Sequence, residues 1–201
     1  MSTARSQARR LASPTDLALI AGFAALVAAG ALLPALNIAG PVPITLQTLA
    51  VMLTGAVLGP KRAFLAVVLY LVVGVAGLPI FSNGRSGPGI FAGPSAGYIL
   101  SFPFAAALCG FLVSRFVRGR FASSVPLIFL CGMVASIVLV HPMGIGGLML
   151  RADMSFGAAF TTDLTFWIGD ILKNLAMAFI AAAVHRAFPT LMPRRGNTAA
   201  R

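Results

Sequence analysis

The run LALIAGFAALVAAGALLPAL, residues 17–36, contains no charged side chain over twenty consecutive positions. About 20 apolar residues make a helix long enough to cross the hydrocarbon core of a bilayer. The residues ahead of the run predict where this helix begins: Ser13 as N-cap, Pro14 at the first helical position, and Asp16 in the first turn, which favours an acidic side chain. The run exceeds the ~7 to 15 apolar residues of a signal peptide. It therefore predicts a first membrane span.

The composition extends this prediction to the whole chain of 201 residues, of which 59% are hydrophobic and 9% charged. The mean hydropathy is +0.96, and the four acidic residues are all aspartates, set against fifteen Lys and Arg. A net charge of +11 is compatible with a nucleic-acid-binding protein only if a water-soluble basic module carries it. The basic residues lie between apolar runs instead, so we expect an integral membrane protein and no nucleic-acid partner.

Six apolar segments are candidate spans, which predicts an all-α bundle of six transmembrane helices. They lie near residues 17–36, 43–59, 63–80, 96–117, 123–141 and 166–187. The membrane domain is expected over residues 13–188, between basic tails at 1–12 and 189–201. With both termini in the cytoplasm, twelve of the fifteen basic residues fall on the inner side, the orientation that the positive-inside rule selects. The sequence thus predicts a multi-pass membrane protein with both termini in the cytoplasm.

The outer connections are predicted to be long and irregular. Residues 79–95 are rich in Gly and Pro, which favours a folded loop over a helix, and residues 142–165 are expected to form a second such loop. Long outer loops above a helical bundle are compatible with a lid over an outward-facing site. They are also compatible with simple solvated connectors.

The clearest functional signal lies in Gly169-Asp170-Ile171-Leu172-Lys173-Asn174. Ionisable side chains are costly inside a span and indicate function. Asp170, Lys173 and Asn174 stand at i, i+3 and i+4, so they project from one helix face, which must turn into the bundle. They form either a polar anchor for a ligand or a self-satisfied pair that locks the helices together.

Further polar residues lie toward the outer ends of their segments and are candidates for the same cavity: Gln47, Asn83, Arg85 and Tyr98. His141 also lies toward an outer end and is a further candidate for this cavity, although, followed by Pro142, it is expected to end a helix. Asp163 is expected to cap a helix or end a loop. Segment two carries Thr45, Gln47, Thr48 and Thr54, so it is expected to face protein or a cavity rather than lipid.

Small residues in the first span form two stripes at i, i+4 spacing: Ala21, Ala25 and Ala29, and Ala24 and Ala28. Such stripes allow close helix approach, either within the bundle or against a separate membrane subunit. Cys109 and Cys131 lie within apolar stretches and are expected to be unpaired packing residues. The sequence has no phosphate-binding loop, HExxH or GxSxG motif. We therefore expect no metal, no cofactor and no enzymatic activity, and any energy for transport would have to come from elsewhere.

Five separated motifs resemble the BioY family, the biotin-specific substrate-binding components of energy-coupling factor (ECF) transporters, over nearly the whole apolar chain. In chain order they are PVPITLQTL (41–49), LGPKR (58–62), GLPIF (77–81), GPSAGYIL (93–100) and GDILK (169–173). The resemblance implies a six-helix membrane protein that binds biotin from outside and works with a transmembrane coupling protein and two cytoplasmic ATPases. It also implicates the alanine-rich face of the first helix in docking to the coupling protein.

Under this resemblance Asp170 accepts from the ureido N–H groups of biotin and Lys173 donates to a ligand oxygen. Tyr98 and the loop from Asn83 to Arg85 hold or cover the remainder, with Arg85 as the candidate for the carboxylate. The family's pattern Pro-Phe-x-Pro-Gly-Asp is replaced by TFWIGD (165–170), which indicates an earlier start for span six. The alternatives are a solo carrier of biotin or a related vitamin, and a membrane-embedded lipid-modifying enzyme.

Overall fold

The structure, a computed structural model, describes residues 13–35, 40–117 and 119–189. Over these ranges the chain forms six helical rods: α1 (Pro14–Leu32), α2 (Gln47–Leu58), α3 (Pro60–Val75), α4 (Ala96–Phe116), α5 (Val125–Arg151) and α6 (Phe156–Ala187). The described part of the chain contains no β-strand. The predicted N-terminal tail, residues 1–12, lies outside the described residues, and so does the predicted C-terminal tail, residues 189–201, except for residue 189. Residues 36–39, at the predicted end of the first span, also lie outside them.

Four of these helices are long and apolar enough to cross a membrane, namely α1, α4, α5 and α6. Large apolar side chains along their outer faces are exposed, for example Phe104, Phe111, Ile168 and Phe179. An apolar surface of this extent needs lipid around it. The chain is therefore a helical, multi-pass membrane protein. Helix α2 is apolar but shorter, and α3 has sixteen residues.

Helix α1 begins as the sequence predicts. The Ser13 hydroxyl accepts from the Asp16 amide at 3.1 Å and Pro14 is the first helical residue. Asp16 is buried and pairs with Arg62 in the first turn of α3. This partly exposed ion pair joins the start of α1 to the start of α3.

Helix α2 occupies the centre of the bundle, in contact with α1, α3, α4 and α6. Every residue from Ala50 to Leu58 is buried, so the prediction that segment two faces protein is confirmed. A Cβ on Gly55 would overlap the Ala106 carbonyl of α4. This glycine lets the two helix backbones touch, the use of small residues that membrane packing favours.

A buried histidine lies at the end of the bundle where α2 and α6 end and α3 begins. His185, in the last turn of α6, places Nε2 3.0 Å from the Ala56 carbonyl and Nδ1 3.1 Å from the Ala122 carbonyl. The Ala56 carbonyl faces Pro60 four residues on, and proline has no N–H to offer it. His185 therefore supplies the donor that this carbonyl lacks within the backbone.

The prediction of a second outer loop over residues 142–165 is wrong. Helix α5 continues through a π turn at Ser136–Val140 and through Pro142 to Arg151, and α6 begins at Phe156. Glycines that suggest a loop in the sequence are contact points here, because Gly144 packs under the Tyr98 ring and Gly147 under Gly97. Close packing between helices overrides the local breaker signal.

The first predicted loop does form. Residues 76–95 contain only two short 3₁₀ turns, Ser82–Gly84 and Pro88–Ala92. Phe81 anchors the loop, since it is fully buried and meets the Tyr70 ring edge-to-face at 5.4 Å. The Gly87 amide donates to the Gly74 carbonyl at 2.8 Å. The loop is thus fastened to α3 and lies over one end of the bundle.

Candidate functional site

A cavity of about 540 Å³, its mouth included, lies under this loop. Its walls combine residues of the segment before α2, the loop and the helices: Val42, Pro43, Ile44, Thr45, Gln47, Thr48, Ser82, Arg85, Ser95, Tyr98, Ile99, Phe102, Val140, Phe166, Asp170 and Lys173. Apolar walls with a few polar groups are typical of a site that encloses a small organic molecule.

Asp170 and Lys173 form the polar centre of the cavity. The Lys173 ammonium donates to Asp170 Oδ1 at 3.1 Å, and both side chains are almost fully enclosed. Their spacing on α6 places them on one inward face, as predicted. Each retains hydrogen-bonding capacity toward a ligand, since a carboxylate has two acceptor oxygens and an ammonium has three donors.

Thr48 was not singled out as a site residue by the sequence. Its hydroxyl donates to Asp170 Oδ1 at 3.0 Å and accepts from Lys173 Nζ at 3.2 Å. A hydroxyl can serve both partners at once, so Thr48 ties α2 to the ion pair on α6. The sequence feature that could have identified Thr48 as a site residue is its polar side chain in a mostly apolar segment, directly after Gln47.

The structure brings five of the seven predicted site residues to the cavity wall: Gln47, Arg85, Tyr98, Asp170 and Lys173. The Gln47 side chain already donates to the Tyr70 hydroxyl at 3.0 Å. The guanidinium of Arg85 is anchored to the loop, with Nε donating to the Ser82 carbonyl at 3.3 Å.

The other two predicted residues, Asn83 and Asn174, are not among the described residues that line the cavity. Asn83 is exposed, with φ of 60° in a 3₁₀ turn. Asn174 is buried beneath the cavity, where its amide donates to Ser136 Oγ at 3.3 Å and to the Asp170 carbonyl at 2.9 Å. It thus joins α6 to the π turn of α5.

Two residues have surroundings different from those predicted. Asp163 lies inside α6 and is fully buried, so its assignment as a cap or loop end is wrong. His141 lies within α5 rather than at a helix end. The two side chains meet behind the cavity wall, where His141 Nδ1 lies 2.9 Å from Asp163 Oδ2. The sequence could not reveal this, because the predicted loop over 142–165 separated them from the bundle.

The alanine stripes of α1 face different surroundings. Ala24 is buried in the hydrophobic core and Ala28 is half-buried against it, whereas Ala21, Ala25 and Ala29 are exposed. The structure therefore assigns internal packing to the stripe of Ala24 and Ala28 and leaves the stripe of Ala21, Ala25 and Ala29 on the outer surface. Cys109 and Cys131 are free and buried.

A pocket with a charged pair inside an apolar helical bundle is typical of membrane proteins that hold a small polar solute within the bundle. The same fold occurs in a solved structure, that of the S-component for biotin from an ECF-type ABC transporter. The similarity has a TM-score of 0.81 at 24% identity, and it covers 89% of this chain and 96% of that one.

The sequence comparisons then identify the family. The model of the BioY family matches residues 3–190. A biotin transporter BioY of Rhizobium etli is 39% identical, over 91% of this chain and 99% of that protein. A second biotin transporter BioY, of Rhodobacter capsulatus, is 36% identical over 90% of this chain and 98% of that protein. The chain belongs to the BioY family.

Proposed function

We propose that this protein binds biotin with high affinity and serves as the substrate-specific subunit of an ECF transporter. The observation that carries the proposal is the Asp170–Lys173–Thr48 cluster inside an apolar cavity, in a chain of the BioY family. Its relatives are named as biotin transporters, so a transport component is favoured over the lipid-modifying enzyme that the sequence left open.

The cavity matches biotin chemically. Biotin presents a ureido ring with two N–H donors and one carbonyl, an apolar sulfur-containing ring, and a flexible tail ending in a carboxylate. We assign the ureido N–H groups to Asp170 and the ureido carbonyl to Lys173, because these are the acceptor and donor at the polar centre. Phe102 and Phe166 supply apolar wall for the bicyclic ring.

We assign the tail carboxylate to Arg85. This guanidinium lies on the loop at the outer part of the cavity wall, and Arg is suited to bidentate recognition of carboxylates. Lys173, the other cation of the described cavity wall, is already engaged by Asp170. The bicyclic ring of biotin would therefore lie deep in the cavity, and its carboxylate tail would extend toward the loop over residues 76–95.

The proposed topology has six spans with both termini in the cytoplasm, in the cytoplasmic membrane of a bacterium. The charge distribution supports it, since twelve of fifteen basic residues then lie on the inner side. The cavity then opens outward beneath residues 76–95, and the end of the bundle at which His185 lies faces inward.

The proposed partners are a transmembrane coupling protein and two cytoplasmic ATPases, as the family resemblance implies. The chain has no phosphate-binding loop of its own. We assign the docking face to Ala21, Ala25 and Ala29, because this stripe is exposed while Ala24 is buried. Small side chains there allow a partner helix to approach closely. Biotin release to the cytoplasm would follow reorientation of the whole protein against the coupling protein.

The direct test is equilibrium binding of labelled biotin to the purified protein in detergent, with desthiobiotin and valerate as competitors. Saturable binding that desthiobiotin displaces and valerate does not would show that the ureido ring is recognised. A folded sample that binds no biotin would disprove the substrate. Uptake in cells with and without the coupling protein and ATPases then decides between an ECF subunit and a solo carrier.

A further inference from the structure

A buried polar cluster lies directly behind the cavity wall. Asp163, on α6, is fully buried. One of its oxygens accepts from the Tyr98 hydroxyl at 2.8 Å, and the other accepts from the indole N–H of Trp167 at 2.9 Å. His141 Nδ1 lies 3.1 Å and 2.9 Å from the two oxygens. Three donors thus converge on this side chain, an arrangement that fits an ionised carboxylate.

His141 links this cluster to the cavity. Its Nδ1 must carry a proton to donate to Asp163, and its Nε2 lies 3.9 Å from Asp170 Oδ2. This separation is an ion-pair distance and exceeds that of a hydrogen bond. Oδ2 is also the Asp170 oxygen opposite to the one that Thr48 and Lys173 engage. The Trp167 ring lies over the imidazole with 5.0 Å between centroids, which holds the plane of the imidazole.

The charges of the cluster determine the protonation of His141. Two carboxylates, Asp163 and Asp170, face it from α6, together with one ammonium, Lys173, while Tyr98 on α4 is neutral. With a neutral imidazole, the buried group would have one excess negative charge, and a buried unpaired charge is costly. A neutral Nε2 would also direct its lone pair at Asp170. A proton on Nε2 removes both problems.

We infer that His141 is an imidazolium held by Asp163 and acts as the positioning residue for Asp170. It does not contact the ligand. It balances the second carboxylate and orients Asp170 so that Oδ2 can accept from the ligand. The effect on biotin binding rests on the proposed function, whereas the charge of His141 does not.

The charge is tested by NMR of the full-length protein in nanodiscs, with ¹⁵N-labelled imidazole rings, at pH 7. The chain has two histidines, so signals that disappear in His141→Asn are those of His141. Protonation of both ring nitrogens is expected. A single protonated nitrogen would overturn the inference, whether or not the protein binds biotin.

The positioning role is tested by biotin binding to His141→Asn, Asp163→Asn and the double variant. Each single change unbalances the charge, and each should weaken binding about tenfold. The double variant restores the balance, so its loss should be smaller than the product of the single losses. A loss in the double variant that equals or exceeds the product of the single losses refutes positioning, and so does unchanged affinity in both single variants.

Thr162→Val is the matched control on α6. Thr162 is next to Asp163, but its hydroxyl donates to the Ala158 carbonyl of its own helix at 2.9 Å, so affinity should not change. If the Asp163→Asn variant does not fold, the biotin-binding test uses His141→Gln instead. Loss of the charge alone should then give the same tenfold weakening, and wild-type affinity would refute the role. Failure of wild-type protein to bind biotin would disprove the proposed function and leave the NMR result valid.

Discussion

Replacing Thr48 with valine tests whether the hydroxyl between α2 and α6 sets the polar centre of the cavity. Valine keeps the shape of threonine and removes only the hydroxyl. Asp170 Oδ1 then loses a donor at 3.0 Å and Lys173 loses an acceptor at 3.2 Å. Their direct contact at 3.1 Å remains. The pair would lose its tie to α2 and would be freer to rotate away from the ligand.

The expected size follows from the hydrogen bond to a charged group, about 1.5 to 3 kcal/mol, which corresponds to about ten- to hundredfold in affinity. Because Lys173 still holds Asp170, we expect the lower end, about a tenfold rise in the Kd for biotin. The measurement is equilibrium binding of labelled biotin to each purified variant in the same detergent.

Thr54→Val is the matched control for this experiment. It is the same substitution on the same helix, but the Thr54 hydroxyl donates to the Ala50 carbonyl of α2 at 2.7 Å and is remote from the cavity. Its affinity for biotin should match the wild type. Unchanged binding by Thr48→Val, or an equal loss in both variants, would refute the role of the Thr48 hydroxyl.

Three further predictions concern packing and docking. Gly97→Ala should destabilise the fold by about 3 kcal/mol through overpacking, because the added Cβ would meet the backbone of α5. Gly157→Ala is the control, since its Cβ would enter open space, and it should not lower the melting temperature in a thermal unfolding assay. Ala25→Trp should abolish co-purification with the coupling protein and leave biotin binding intact, whereas Ala24→Trp should impair folding, since Ala24 is buried and Ala25 exposed; retained co-purification would place docking elsewhere. His185→Leu should cost about 2 kcal/mol of stability, because the buried Ala56 carbonyl loses its side-chain donor, and an unchanged melting temperature would contradict this.

The first and last spans show what a sequence with no other information determines. The composition excludes a water-soluble domain, and the N-cap at Ser13 fixes the start of α1 to the residue. The inward face of α6 follows from helical geometry, because residues three and four apart must share a side. These features depend only on neighbours along the chain, so the sequence determines them.

The second predicted loop shows where such reasoning ends. The Pro and Gly residues of 142–147 break helices locally, yet α5 continues through them. The structure uses Gly144 and Gly147 to bring α4 within contact of α5. Local propensity carries no information about which helix will pack at a given point, so the continuation of α5 was decided by tertiary contacts.

The cavity divides in the same way between sequence and tertiary structure. The charge cost of Asp170 and Lys173 within a span is enough to predict a polar centre from the sequence alone. Their partners Thr48 and His141 lie on other helices, 122 residues from Asp170 in the case of Thr48. Which distant polar groups meet depends on the rotation and crossing of three helices. The sequence therefore determined the class of the protein and its ionisable centre, and only the tertiary structure decided which residues complete the site.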